Sequence, residues 1–453
     1  MRTICTLVVL AACGGGPANP VIDSPVASAC SNGCGATYDG TVQCPLCRYA
    51  GEPVATMLAS STVALGAGPI IAYVAGGLVL ATRGAAWTTE QVTTSIGSGP
   101  IHVAVAPDGT PWISYFDTSS KLAIAHRTGA TWNIDTLTVS AKDGPLAISA
   151  DGTPHVAFAG VANSMIGVHV ATYNAGSWTV SLVAKTTQIA GSIAIAATGT
   201  EVRVAWDDRD VHGLRHATVA GAISVETAVP SVSLYTDQSL AFAIDTAGQS
   251  HLVYRAAGDV KHALRAGTTW TIDEVTGVYG TSSVAIAAGG DGKVAAVFSH
   301  TNGLSVGFLV DGKWLVQTVV RSCTGGPAEG QFDAAGALQI AHSCNLAGIH
   351  LMTQVGLYPD DFASTCNAVA HTLCQEGCSC NPPPSGDCCV HSMGNGFCAS
   401  PPSYCDVDAV RYVCGDATQD PATLYGCRDA APSAACAASM PGVEVPASCA
   451  GYF

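Results

Sequence analysis

The chain has 453 residues, 11% of them charged and 48% hydrophobic, with a net charge of -15. With no basic patch it lacks the electrostatic footprint that nucleic acid requires, and nucleic acid is excluded as a partner. Low charge, 50 glycines and the near absence of amphipathic helical periodicity exclude a helical bundle and favour short β-strands packed between other strands.

Residues Met1 to Cys13 carry one arginine, an apolar run from Ile4 to Ala12, and the tetrapeptide Leu10-Ala11-Ala12-Cys13. This resembles the lipobox of bacterial lipoproteins. The resemblance implies a signal peptide over 1–12, acylation of Cys13, and attachment to the membrane through that lipid. Gly14 stands where the family's inner-membrane retention signal has Asp, so an outer-membrane or cell-surface location is expected. An ordinary secretory signal with small residues at its cleavage site is the other reading. Residues 13–29, rich in Gly, Pro and Ala, read as a flexible tether.

Residues 30–52 form a four-cysteine knuckle module. Cys30, Cys34, Cys44 and Cys47 flank a short hairpin-like stretch, Ala36 to Val42, and resemble a zinc ribbon. Four thiolates at such spacing can close a tetrahedral structural zinc site. Export through an oxidising compartment makes two disulfides the competing reading.

From residue 53 to 358 one motif recurs seven times: a Gly in a polar turn, a β-rich run, a loop, a second β-run, then usually a Trp opening alternating apolar residues. The turn glycines are Gly68, Gly109, Gly152, Gly199, Gly248, Gly292 and Gly336, spaced by 41 to 49 residues. Such periods predict an all-β fold, a seven-bladed β-propeller of four-stranded blades. Each blade reads as strands a to d, with Trp87, Trp132, Trp178, Trp270 and Trp314 opening strand d; Ile223 holds that place in blade four and Tyr358 in blade seven. The Trp is expected between adjacent blades. The uncharged stretch Pro53 to Thr82 is long enough for a membrane span, but its turn glycines and its match to the next repeat make it blade one. Blade seven lacks a strand d after Tyr358, so Pro53 to Ser60 is expected to supply it and close the ring.

Cys323, in the connection before blade seven, and Cys344, in its b–c loop, fall on the same face and are expected to pair as a disulfide. Residues 359–453 hold twelve more cysteines and few large apolar residues, which reads as a disulfide-rich C-terminal module.

No catalytic constellation is legible. His216 and His262 occupy equivalent places in strand c and read as packing residues, and turn aspartates such as Asp108, Asp151 and Asp291 read as backbone-bonding residues. Residues confined to one blade, all on the b–c face, are the candidate ligand-binding set: Asp117, Asp207, Asp208, Arg209, Asp210, His212, Arg255, Asp259, His300 and His342. The run Asp207 to Asp210 offers carboxylates for calcium or for paired acid–base work, though a solvated loop explains it too.

In period and in Gly and Trp positions the repeats resemble the propellers of the sialidase superfamily. Arg127-Thr128-Gly129-Ala130-Thr131-Trp132 and Arg265-Ala266-Gly267-Thr268-Thr269-Trp270 keep only the end of that superfamily's Asp-box. Its arginine triad and nucleophilic Tyr are not legible here. The expected function is an envelope-anchored propeller that binds glycan or protein. The alternatives are an extracellular glycoside hydrolase, which needs carboxylates and Arg at the mouth of the central channel, and a purely structural envelope protein. No cofactor is expected apart from structural zinc at the first four cysteines. Beyond the strand-d Trp the sequence shows no side chain repeated toward the inter-blade grooves, so one site or a broad surface is expected rather than a multivalent lectin.

Overall fold

In the computed structural model, residues 47–55 and 63–357 are described, with breaks at 235–238, 277–279, 302, 322–325 and 345–347. Short strands are also described at 35–36, 42–44, 388–392, 395–399 and 443–444. The signal, the tether, Cys13, Cys30, Cys34 and Cys323 lie outside the described residues. The same is true of the Cys344 side chain and most of the C-terminal module. Among the described residues there is no helix, and no helix long and apolar enough to cross a membrane.

Seven antiparallel sheets form the blades. Blade 2 shows the plan: His102–Val105, Pro111–Phe116, Leu122–Thr128 and Thr131–Thr136, paired in that order. The innermost strands of the blades are Val63–Gly66, His102–Val105, Leu146–Ile148, Ile193–Thr198, Leu240–Ile244, Ser283–Ala288 and Ala328–Phe332. Each touches the next, and the seventh touches the first, so the ring is closed.

The seven turn glycines all sit in left-handed backbone, with φ between 54° and 86°. They join the two inner strands of each blade, where a side chain would be strained. The turn aspartates act as expected: Asp108 accepts from the Thr110 amide at 2.9 Å and Asp151 from the Thr153 amide at 3.0 Å.

Burial follows from stacking sheet on sheet. The second strand of blade 2, Pro111–Phe116, is buried along its whole length, while its outer strand Thr131–Thr136 has no fully buried residue. A strand covered on both faces reads as a continuous apolar run, and only outer strands read as mixed. Phe158, Trp206 and Phe298 are completely buried between blades, each contributing roughly 1.5–3 kcal/mol of hydrophobic free energy.

The strand-d tryptophans do lie between blades. Trp178 of blade 3 meets Trp112 of blade 2 edge-on at 6.1 Å between ring centroids, Trp270 meets His216 at 5.3 Å, and Trp314 meets His262 at 5.0 Å.

The ring closes through an N-terminal strand, but one that begins earlier than expected. Cys47–Ala55 pairs antiparallel with Gly348–Leu357 as the outer strand of blade 7. Residues 47–52 of the cysteine module, Cys47 among them, therefore belong to the propeller. Tyr49 of this strand, buried to 3% exposure, takes the place that Tyr358 was expected to hold; Tyr358 lies outside the described residues. The hairpin Gly35–Ala36 and Val42–Cys44 adds to the outer edge of blade 6 through Ala36 and Val316. Gln317 of blade 6 holds the start of the closing strand, accepting from the Cys47 amide at 2.8 Å and donating to the Cys47 carbonyl at 2.7 Å. Cys47 is disulfide-bonded.

Candidate functional site

Where one blade stacks on the next, strand c of the later blade ends beside the Trp that opens its strand d. Arg83 pairs in register with Trp87, Arg127 with Trp132, and Arg265 with Trp270. In each case a Glu from strand d of the preceding blade crosses to the arginine. Arg83 Nη2 lies 3.0 Å from Glu52 Oε2, Arg127 Nη2 contacts Glu90 Oε2, and Arg265 Nε lies 2.5 Å from Glu226 Oε1. Three inter-blade grooves thus hold the same triad: a glutamate, an arginine and a half-buried tryptophan. The Arg127 guanidinium sits 5.4 Å from the Trp132 ring centroid, in cation–π range.

The groove between blades 4 and 5 is the most elaborated. Trp270 Nε1 donates to Glu226 Oε1 at 3.2 Å, and His216 Nδ1 lies 3.0 Å from the same oxygen. Burial works against charge on Glu226, yet its bonds to Arg265 prevail and hold the carboxyl below its ordinary range. Burial pushes His216 down to about 4, with Glu226 pulling the other way. At neutral pH the groove holds a carboxylate, a guanidinium and a neutral imidazole. Two further grooves keep the acid and the Trp without the arginine: Trp178 Nε1 donates to Asp135 Oδ2 at 3.0 Å, and Asp273 and Trp314 both flank His262.

This corrects the expectation that nothing but the Trp repeats. The arginine and its glutamate belong to different blades, 37 residues apart for Glu90 and Arg127 and 39 for Glu226 and Arg265, so no single repeat contains the triad. A signal was present: an acid follows the opening residue of strand d by three positions at Tyr49/Glu52, Trp87/Glu90, Trp132/Asp135, Ile223/Glu226 and Trp270/Asp273.

The side chains expected to form a site on the b–c face make the following contacts among the described residues. Asp117 accepts from the Ser119 and Lys121 amides at 2.8 and 2.9 Å. Asp208 accepts from the Asp210 amide at 3.0 Å, and Asp210 caps Thr187 through its amide and hydroxyl at 2.6 and 2.5 Å. Asp207 is 1% exposed, 3.9 Å from Arg209, and burial raises its carboxyl above the ordinary range. His212 is an exposed turn residue with φ of 51°. Arg255 Nη1 donates to the Thr281 carbonyl, and Asp259 opens the third strand of blade 5. His300 is buried beside Ser305 at 3.0 Å, and buried His342 stacks on His350 at 5.6 Å between centroids. No group of three His, Cys, Asp or Glu that could hold a metal ion is found among the described residues.

On the axis, the seven inner strands and their flanking residues enclose a cavity of about 170 Å³. Most residues around it are Val, Leu, Ile and Ala, but the surface they turn to it is more polar than apolar, and three ionisable residues line it: His102, Asp143 and Glu329. Among the described residues that line it there are two carboxylates, Asp143 and Glu329, and no arginine.

No family model and no curated protein matches this chain. Among solved structures it is similar to a lectin from Burkholderia pseudomallei, with 14% identity and a TM-score of 0.47 over 69% of this chain and 99% of that one. It is also similar to a mutant of AofleA from Arthrobotrys oligospora, with 12% identity and a TM-score of 0.45 over 63% of this chain and 92% of that one. A third is the lectin of Aleuria aurantia, a six-bladed β-propeller with a fucose recognition mode, at 13% identity and a TM-score of 0.37 over 66% of this chain and 96% of that one.

Proposed function

We propose that this protein is a glycan-binding propeller whose sites are the inter-blade grooves that hold Glu52, Arg83 and Trp87; Glu90, Arg127 and Trp132; and Glu226, Arg265 and Trp270. The repetition of one triad in three grooves carries this reading. A sugar presents vicinal hydroxyls and an apolar C–H face. A guanidinium fork donates to hydroxyl oxygens, a carboxylate accepts from hydroxyl protons, and an indole offers an apolar face beside them. The side chains are reachable from outside: Arg83 and Glu52 are 42% and 29% exposed, Arg127 and Glu90 35% and 36%.

Three equivalent sites on one rigid ring favour multivalent recognition, in which weak single-site binding adds up on a surface that displays many copies of the sugar. The lipobox-like Leu10 to Cys13 supports placing this ring at the cell surface, tethered by residues 13–29. The test is binding of the full chain to a broad glycan array, with a turnover assay on any hit. The reading expects saturable, uncleaved binding that is lost when Arg83, Arg127 and Arg265 are all replaced by Ala. Cleavage of a hit would favour the hydrolase alternative, and silence across the array would overturn glycan recognition.

A further inference from the structure

Among the described residues, the side chains of Glu52 and Glu90 meet only their arginines. Glu226, the acid of the blade 4–5 groove, is tied in addition to a line of buried polar groups. Arg203, on the second strand of blade 4, donates through Nη1 to Ser250 Oγ at 2.9 Å and to the Gly248 carbonyl at 2.8 Å, and its Nε contacts Glu201 Oε1. Ser250 Oγ, on the second strand of blade 5, lies 3.3 Å from His216 Nε2, and His216 Nδ1 lies 3.0 Å from Glu226 Oε1. Arg203, Ser250 and His216 are 9%, 0% and 1% exposed, so water competes little for these bonds.

Chemistry fixes the direction of the line. A guanidinium only donates, so Ser250 Oγ accepts from Arg203 and keeps its proton for His216 Nε2. An ionised carboxylate only accepts, so His216 Nδ1 carries the ring proton and donates it to Glu226. Both ends therefore demand the same tautomer of a neutral imidazole, and burial keeps His216 neutral. A serine, a histidine and a glutamate in this order also make a nucleophilic triad. Here Ser250 is wholly buried and its oxygen already accepts from Arg203, so no substrate carbonyl reaches it.

The line ends instead at the groove. Oε1 of Glu226 receives Trp270 Nε1 and His216 Nδ1 and faces Arg265 Nε, whereas Oε2 meets Arg265 Nη2 alone, at 3.4 Å. With Oε1 occupied the carboxylate is held in one orientation, and Oε2 keeps lone-pair capacity for another donor.

We infer that His216, oriented by Ser250 and Arg203, is a positioning residue for the blade 4–5 groove: it pins Glu226 through Oε1 and leaves Oε2 as the acceptor for a ligand hydroxyl. The ligand half of this inference rests on the glycan reading above; the positioning half does not.

The experiment has a ligand-free arm and a glycan arm, both on the full chain. In NMR spectra of protein carrying isotope-labelled histidine, the His216 ring is expected at pH 7 with a proton on Nδ1 and none on Nε2; a proton on Nε2 would overturn the proposal. In a carboxyl NMR titration the Glu226 midpoint should rise in His216→Leu, which has no N–H to donate, and return to the parent's in His216→Asn, whose amide stands where Nδ1 stood. An unmoved midpoint in His216→Leu, or an equal rise in both variants, would show that His216 only fills space. On the glycan array His216→Leu should lose about as much avidity as Arg265→Ala, and His216→Asn should keep the parent's. Parent-like binding by His216→Leu would overturn the ligand half alone. Silence of the parent across the array would overturn the glycan reading and the ligand half with it, and the NMR arm would still decide the positioning half.

Discussion

Glu226 and Arg265 meet across the boundary between blades 4 and 5, Oε1 to Nε at 2.5 Å, and Trp270 donates to the same oxygen at 3.2 Å. The contact links a strand-d acid to the strand-c arginine of the following blade, and Glu52–Arg83 and Glu90–Arg127 repeat it. These pairs are partly solvated, and pairs of this kind contribute about 0–1 kcal/mol each to stability. Arg265→Ala should therefore leave the melting temperature within a few degrees of the parent while reducing avidity on a glycan-coated surface. The triple variant at Arg83, Arg127 and Arg265 should lose binding altogether. A triple variant that unfolds near room temperature would show the pairs to be structural supports instead.

Buried histidines make the fold acid-sensitive. Burial drives His262 down to about 3 with His251 adding to the effect, His216 to about 4 against the pull of Glu226, and His342 to about 4 with His350 adding to it. The unfolded chain takes up these protons near 6.5. Between that value and the folded ones the unfolded state binds more protons, so stability falls as pH falls through this window, by about 1.4 kcal/mol per group per pH unit. Urea midpoints should drop steeply from pH 7 to pH 5, and His262→Leu should flatten part of the slope. A flat profile in the parent would contradict the burial of these rings.

Glu329 works in the opposite direction. Its carboxyl is raised to about 7, so the stability tied to its protonated form is complete below about 4.5 and lost as pH rises through 7. Glu329→Gln should accordingly be more stable than the parent at pH 8, by roughly 1–3 kcal/mol, and no more stable at pH 4.5. Denaturant titrations at the two pH values measure this difference directly.

Closure depends on the strand that carries Cys47. Gln317→Leu removes both hydrogen bonds to the Cys47 backbone and leaves a buried amide and carbonyl unpaired, which costs about 1–3 kcal/mol for each. Reducing the Cys47 disulfide should add to that loss, since a native disulfide contributes about 2–5 kcal/mol in many small exported domains. Thermal melting with and without reductant, in parent and variant, checks both. Unchanged melting in all four samples would mean that the closing strand is dispensable.

Two glycines separate space from backbone conformation. A Cβ on Gly160 would stand 1.8 Å from the Ser140 carbonyl oxygen, whereas Gly109 has open space but a φ of 86°. Gly109→Ala should cost about 1–2 kcal/mol from left-handed strain. Gly160→Ala must displace backbone and should cost more than 3 kcal/mol. Equal losses would mean that the crossover at Ser140 yields freely.

The sequence by itself determined the architecture. Turn glycines at 41- to 49-residue intervals, each in a conformation that favours glycine, and a Trp opening most outer strands can be read one blade at a time. His216 and His262 were likewise legible as packing residues, because their equivalence is a property of the repeat. Tertiary structure alone decided what lies between blades. The Glu–Arg–Trp triads join residues of successive blades, the axial His102, Asp143 and Glu329 join blades 2, 3 and 7, and the closing strand begins at Cys47 because pairing with Gly348–Leu357 selects it. The physical reason is that a repeat encodes contacts within a sheet, where partners are local and periodic. Sheet stacking and ring closure create contacts between residues whose separation in the chain carries no pattern of its own. The b–c face shows the converse: Asp117, Asp208 and Asp210 stand out because each occurs in one blade only, yet Asp117 and Asp208 are spent on the backbone of their own corners and Asp210 on the amide and hydroxyl of Thr187.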